Sequence, residues 1–167
     1  MIIFFWVPLV SAQELETSEL PKLSVFVTVE KPLAQISQSL LGTIMAHLSR
    51  DSGFQMTPIK KIIQDIPPAS LQVYQCVSKP DCLSHYIDAL QSNAVLSVAV
   101  NIDDSTSKKK IFRPKKSILN VRYYLISKEP QMFETAEGEK GIFEKIQVSV
   151  ASPALALVEK WKKKKEI

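Results

Sequence analysis

The segment from Ala94 to Val100 constrains the fold of this chain more than any other part of the sequence. Its residues are apolar except for Ser97, and several of them are β-branched. A run of this length is too short for a separate buried helix and suits a strand whose two faces are both covered. Such strands occur chiefly in sheets that carry helices on both sides. The segment therefore predicts a central strand of an α/β sheet.

An amphipathic helix is predicted directly before this strand. Its apolar residues recur at three- and four-residue spacing, at Leu83, Tyr86, Ile87 and Leu90. Pro80 is tolerated in the first turn, because the amide protons of that turn have no intrahelical partners. The helix and the strand after it are typical of the second half of a βαβ unit.

The rest of the chain predicts a single domain with a mixed sheet. Further strands are predicted at Leu23–Val29, Phe54–Thr57, Ile118–Ser127 and Gln131–Thr135. A long helix follows the first strand, with one apolar face formed by Leu33, Ile36, Leu40, Ile44 and Leu48. The expected order is β-α-β-α-β-β-β-α. We therefore expect an α/β (α+β) fold with a mixed sheet of about five strands packed with helices.

A second long apolar stripe lies near the end of the chain. Its members are Phe143, Ile146, Val150, Ala154, Leu157 and Trp161, and their helical spacing continues through Pro153. We expect one helix that is kinked at Pro153. The alternative is that Ser152 and Pro153 begin a separate helix after a broken segment.

Residues 1–12 are predicted to be a signal peptide. The first ten residues are apolar, about the length of a secretory h-region, and small or aliphatic residues precede Gln13. The alternative is a buried amino-terminal strand. Residues 13–22 are expected to form a polar, mobile lead-in, and residues 23–165 the single domain. The expected location is the periplasm, reached after removal of the signal peptide.

Cys76 and Cys82 are the only cysteines of the chain. In a reducing cytosol they would be two thiols, and a zinc site would need further ligands from a chain whose only histidines are His47 and His85. In the expected oxidising compartment they would pair and close a short loop. We therefore expect a Cys76–Cys82 disulfide, no bound metal and no cofactor.

The sequence contains no familiar catalytic motif. Glycine-rich phosphate loops, the nucleophile elbow of hydrolases and the zinc-protease motif are all missing from it. One enzymatic hypothesis is a thiol- or metal-dependent activity of Cys82 and His85, which are three residues apart on the predicted helix. The expected disulfide disfavours this hypothesis, so we predict a protein that is not an enzyme.

A basic segment between two predicted strands is the candidate binding surface. It gathers six positive charges in nine residues without an acidic residue, at Lys108, Lys109, Lys110, Arg113, Lys115 and Lys116. Outside the cytoplasm the available polyanions are lipid headgroups, lipopolysaccharide and acidic proteins, not nucleic acids. An acidic envelope protein or an anionic membrane surface is therefore the expected partner. The alternative is a solvated hairpin loop.

Two stretches of the sequence resemble the amino-terminal α/β domain of the periplasmic protein TolB and the related core of CsgG-type envelope proteins. They are LSRDSGFQM at Leu48–Met56 and DCLSHYIDALQSNAVLSVAV at Asp81–Val100. The resemblance extends from Leu23 to Trp161. It implies a non-enzymatic scaffold or interaction domain that docks onto a larger envelope complex.

Replacing Cys76 and Cys82 together by serine is expected to lower the free energy of unfolding by about 2 kcal/mol, because the crosslink restricts the unfolded chain. Denaturant unfolding of the oxidised wild type and of the variant measures this difference. The reduced wild type serves as the control and should match the variant. Equal midpoints for the oxidised wild type and the variant would show that the two cysteines are not bonded.

Replacing the five lysines of the basic segment by glutamine is expected to weaken attachment to the anionic partner and to leave thermal stability unchanged. The attraction is electrostatic, so attachment of the wild type should also weaken as the Debye length falls from ~10 Å at 0.1 M salt to ~3 Å at 1 M. Co-purification at low salt measures the effect. Equal recovery of partners by both proteins would mean that the segment is only a solvated loop.

Overall fold

The computed structural model of the protein describes residues 20–30, 33–51, 53–58, 62, 79–103 and 117–165. Its elements are β1 (Lys22–Val29), α1 (Ala34–Leu48), β2 (Gln55–Met56), α2 (Pro80–Ala89), β3 (Ala94–Ile102), β4 (Leu119–Ser127), β5 (Met132–Glu137), α3 (Phe143–Ser149) and α4 (Ala151–Lys165). The predicted α/β (α+β) class is confirmed. The predicted order is followed as far as β5, and the chain then continues into two helices.

The strands form one mixed sheet in the order β2-β1-β3-β4-β5. β1 pairs in parallel with β2 and β3, whereas β4 pairs antiparallel with β3 and β5. β3 lies in the middle and is paired along its length, from Leu23↔Ala94 on the β1 side and from Ile102↔Leu119 on the β4 side. The central strand predicted from the apolar run is thus confirmed.

Alternate side chains of β3 supply two apolar clusters on opposite faces of the sheet. Leu96, Val98 and Val100 belong to the larger cluster, which includes residues of α1, α3 and α4. Val95 belongs to the smaller cluster, where Ile87 and its neighbours on α2 pack against the sheet. We call these the three-helix face and the α2 face. Because helices lie on both sides of β3, the five successive residues from Ala94 to Val98 are all buried, whichever face they point to.

The apolar stripe predicted for the first long helix packs on the three-helix face. All of its members are buried: Leu33, Ile36, Leu40, Ile44 and Leu48. Trp161 of α4 is fully buried in the same layer, and its ring centroid lies 6.4 Å from that of Phe54. The adjacent Lys162 donates hydrogen bonds of 2.9 and 2.7 Å to the carboxylate of Asp51. These bonds from Lys162 hold the pKa of Asp51 below its ordinary value. They join the carboxyl-terminal end of α4 to the turn that follows α1.

The expectation of one kinked helix at the end of the chain is wrong. α3 ends at Ser149 and α4 begins at Ala151, so the helix breaks at Val150. Pro153 has no N–H to donate to the carbonyl of Ser149, four residues earlier, and its ring would clash with that carbonyl. The division of the helix coincides with this missing hydrogen bond, and the proline lies in the first turn of α4, where it is tolerated.

Tyr123 of β4 joins this helix break to the sheet. Its side chain is 1 % exposed, and its hydroxyl donates a hydrogen bond of 2.9 Å to the backbone carbonyl of Val150. Burial raises the pKa of Tyr123 well above its ordinary value, so the hydroxyl keeps its proton and remains a donor. The orientation of α3 and α4 on the sheet is therefore fixed by a buried polar contact as well as by apolar packing.

Replacing Tyr123 by phenylalanine is expected to lower the free energy of unfolding by about 1 kcal/mol, because the carbonyl of Val150 loses a buried partner. Denaturant midpoints at constant m-value measure the loss. Tyr124→Phe is the matched control, because this neighbouring ring lies on the α2 face, and it should change stability much less. Equal effects of the two substitutions would mean that the bond to Val150 contributes nothing.

Candidate functional site

A groove with a volume of about 380 Å³ lies between the first turns of α2 and the β4–β5 hairpin. It forms on the α2 face, where, among the described residues, the ten-residue α2 leaves part of the hairpin exposed. Its lining residues come from α2, from the end of β4 and from the start of β5: Pro80, Asp81, Ser84, Ile126, Ser127, Lys128, Gln131, Met132 and Phe133. The groove thus combines two parts of the chain that are far apart in sequence.

The hydroxyl groups that line this groove are already bonded to the backbone. Ser84 donates a hydrogen bond of 2.7 Å to the carbonyl of Asp81, within its own helix. Ser127 donates one of 2.5 Å to the carbonyl of Pro130 in the hairpin turn. Because these donors are in use, the groove offers a partner its apolar side chains together with the polar groups of Asp81, Lys128 and Gln131.

An exposed aromatic residue stands at the side of the groove. Phe133 is 39 % exposed, and its ring stacks on Tyr124 at a centroid distance of 6.4 Å and an interplanar angle of 22°. Its cross-strand neighbour Ile126 is buried beneath α2. Aromatic side chains that are held by a neighbour but still reach solvent are common anchors of protein interfaces.

Lys128 lines both this groove and a second depression of about 360 Å³ beside the α2–β3 turn. Its ammonium group forms an ion pair with Asp88 of α2. Both side chains are largely exposed, at 48 % and 64 %, so the pair contributes on the order of 0–1 kcal/mol. A ligand or partner in either depression can displace it at little cost.

The predicted cysteine and histidine residues form no catalytic arrangement in the part of the chain that the structure describes. Cys82 is half-buried in the first turn of α2 and is not a free thiol. Cys76 lies outside the described residues, so its pairing with Cys82 remains a prediction. His85 is exposed on the same helix, and His47 bonds through Nδ1 with the carbonyl of Thr43 at 2.9 Å.

The basic segment predicted as a binding surface lies entirely outside the described residues. Lys108, Lys109, Lys110, Arg113, Lys115 and Lys116 all fall within residues 104–116. The assignment of an anionic partner to this segment therefore stays a prediction. Residues 1–19, which include the predicted signal peptide, lie outside the description as well.

Three hydroxyl groups meet at the end of the sheet where β1 and β3 begin. Ser24 donates a hydrogen bond of 2.8 Å to Thr57, and the hydroxyl groups of Ser24 and Ser92 lie 2.5 Å apart. The three side chains are 0 %, 5 % and 8 % exposed. A substrate cannot reach hydroxyl groups that are this deeply buried. The cluster therefore fastens the segments after β2 and before β3 to β1.

The described residues offer neither a metal centre nor a membrane-spanning helix. Residues 20–30, 33–51, 53–58, 62, 79–103 and 117–165 hold no group of three or more His, Cys, Asp or Glu side chains placed to bind a metal ion. None of the helices described is long and apolar enough to cross a membrane.

The groove residues were not among those singled out from the sequence. Ser84 belongs to the polar side of its helix, and nothing in its local pattern distinguishes it from other exposed serines. Phe133 did carry a signal, because alternation in the strand places it on the same face as the polar Thr135 and Glu137. A lone aromatic residue on an otherwise polar strand face indicates a surface that contacts something else.

No protein-family model matches the sequence, and no curated protein matches it significantly. Lipoprotein GNA1162 from Neisseria meningitidis aligns with 84 % of this chain and 99 % of its own, at 12 % identity and a TM-score of 0.46. A PelC variant dodecamer from Paraburkholderia phytofirmans aligns over 80 % and 84 %, at 14 % identity and 0.44. The LpoB C-terminal domain from Salmonella enterica aligns over 76 % and 86 %, at 8 % identity and 0.45. With TM-scores below 0.5, none of these likenesses assigns an activity or a partner to this chain.

Proposed function

We propose that the protein is a non-enzymatic interaction domain of the cell envelope, exported to the periplasm, which docks onto a larger envelope complex. The observation that carries this proposal is the groove between α2 and the β4–β5 hairpin, with the exposed ring of Phe133 at its side. The apolar leader of the sequence and its similarity to the TolB amino-terminal domain support the envelope location.

The groove suits a protein partner because it offers an apolar pocket with one exposed aromatic wall. Its volume of about 380 Å³ is near the lower end of the range of small-ligand pockets, about 300–1,000 Å³, and can take an anchor side chain of a partner. Binding energy at interfaces is concentrated in such anchors, which are mostly aromatic side chains and arginine in well-packed pockets.

The surroundings of the groove also keep the cost of docking low. Ser84 and Ser127 have backbone partners already, so an apolar side chain that enters does not strand a hydroxyl group. The ion pair of Lys128 with Asp88 is solvent-exposed and weak. The basic residues 108–116, if they meet an acidic surface of the same complex, would act chiefly on the rate of encounter.

Replacing Ser84 by arginine fills the groove and is expected to weaken binding of the envelope partner at least tenfold. Ser84 is half-buried and has no packing role in either apolar cluster, so the melting temperature should change little. The partner recovered with the wild type by crosslinking in envelope extracts is identified and purified. Its affinity for each purified variant is then measured.

His85→Arg is the matched control, because it adds the same side chain to the next, exposed position of the same helix. This variant should bind the partner as tightly as the wild type. If Ser84→Arg and His85→Arg bind equally well, the groove is not the docking site. If both lose binding equally, the added charge and not the occupied groove is responsible, and the proposal fails.

A further inference from the structure

β5 is an outer strand of the sheet, and its free edge is regular. Six successive residues pair with β4 without a bulge, from Met132↔Ser127 to Glu137↔Arg122. The amide of Gly138 donates a hydrogen bond to the carbonyl of Val121, which shows which residues of this strand direct their backbone groups toward β4. Residues two, four and six positions earlier therefore also direct their backbone groups toward β4. Phe133, Thr135 and Glu137 direct theirs outward, and no described strand pairs with them.

The outer edge carries two charged side chains, Glu134 and Glu137, but has none of the other features that usually keep an edge strand unpaired. Its sequence, MFETAE, contains neither proline nor lysine. The side chains of the three outward-pairing residues are all exposed, so the edge is open on the α2 face. On the three-helix face Glu134 forms ion pairs with Lys160 at 3.5 Å and Lys164 at 3.1 Å. The one carboxylate that β5 directs to the three-helix face is therefore paired with two lysines.

We propose that β5 pairs antiparallel with β5 of a second copy of this chain, about a two-fold axis at Thr135, so that the two five-stranded sheets become one. In this register Thr135 faces its own copy, Phe133 faces Glu137, and Glu134 faces Ala136. Each outward residue donates one hydrogen bond and accepts one across the axis. The stem of Glu137 covers the exposed ring of Phe133, and no two like charges face each other.

Other registers of the same edge are worse. An axis at Glu134 places two carboxylates directly opposite each other, and an axis at Glu137 does the same. An axis at Ala136 leaves Phe133 facing a residue beyond the strand, so fewer outward groups find partners within β5. The register at Thr135 alone uses all three outward residues without a clash of charge. This self-complementarity is the requirement for an interface between identical copies.

The inference does not depend on the proposed docking function. It uses chiefly the outward backbone groups of β5, whereas the docking site is the groove between this hairpin and α2, and the two share only the side chain of Phe133. A substitution at Thr135 therefore tests the pairing, and one at Ser84 tests the groove. Failure of either leaves the other standing.

Replacing Thr135 by proline tests the pairing. Its N–H points outward, so the substitution removes no bond to β4, and proline is tolerated in edge strands at such positions. Sedimentation equilibrium of the full chain should show a dimer for the wild type and for the control Thr135→Val. Thr135→Pro should associate at least tenfold more weakly, with an unchanged far-UV circular dichroism spectrum.

A cysteine at the same position gives a second measurement. Residues opposite each other in a hydrogen-bonded antiparallel pair have Cα atoms about 5.5 Å apart, within the range of about 4.4–6.8 Å that a disulfide spans. Thr135→Cys should therefore form a crosslinked dimer on mild oxidation, whereas Glu144→Cys, exposed on α3, should not. The proposal is overturned if the wild type is a monomer. It is also overturned if the wild type is a dimer that remains intact in Thr135→Pro and is not crosslinked in Thr135→Cys. If the wild type is a monomer and Thr135→Pro abolishes binding of the envelope partner, the proposal is also overturned, and the outer edge of β5 binds a different protein instead.

Discussion

The burial of β3 on both faces is the constraint on which the rest of the structure depends. Leu96, Val98 and Val100 are buried on one face and Val95 on the other, so water must be excluded from both faces of the sheet. Three helices achieve this on one face. On the other face, α2 and Ile62 cover the sheet within the described residues. The groove lies where the first turns of α2 meet the β4–β5 hairpin.

The β4–β5 hairpin presents two surfaces of different chemistry. Toward α2 it offers side chains, among them the stacked rings of Tyr124 and Phe133. Along its outer edge it offers the backbone donors and acceptors of every second residue of β5. Side-chain contacts select a partner by shape and polarity, whereas backbone contacts select for an extended strand of almost any composition. The two surfaces share one side chain, Phe133, whose ring lines the groove and also lies at the outer edge of the hairpin.

Local patterns predicted the parts of the fold that are local in origin. The apolar run in β3 and the stripe beside α1 are each complete within one stretch of chain, and the structure confirms both. The stripe that continues through Pro153 predicted one helix, because periodicity ignores the missing N–H and the clash with Ser149. The groove could not be predicted, since Ser84 and Phe133 meet only through the crossing of α2 over the hairpin. The buried contact of Tyr123 with Val150 likewise depends on tertiary structure alone.

The inner position of β1 determines how the domain responds to mechanical load. The chain before Lys22 leads directly into a strand that is paired with β2 and β3 at its start and with β3 along the rest of its length. Tension along the strand axis shears the parallel β1–β3 ladder, so that its hydrogen bonds bear the force together. Leu23 and Val25 of β1 are buried in the same cluster as residues of α1 and α4. Tension applied to the amino-terminal chain is therefore transmitted directly into the core of the domain.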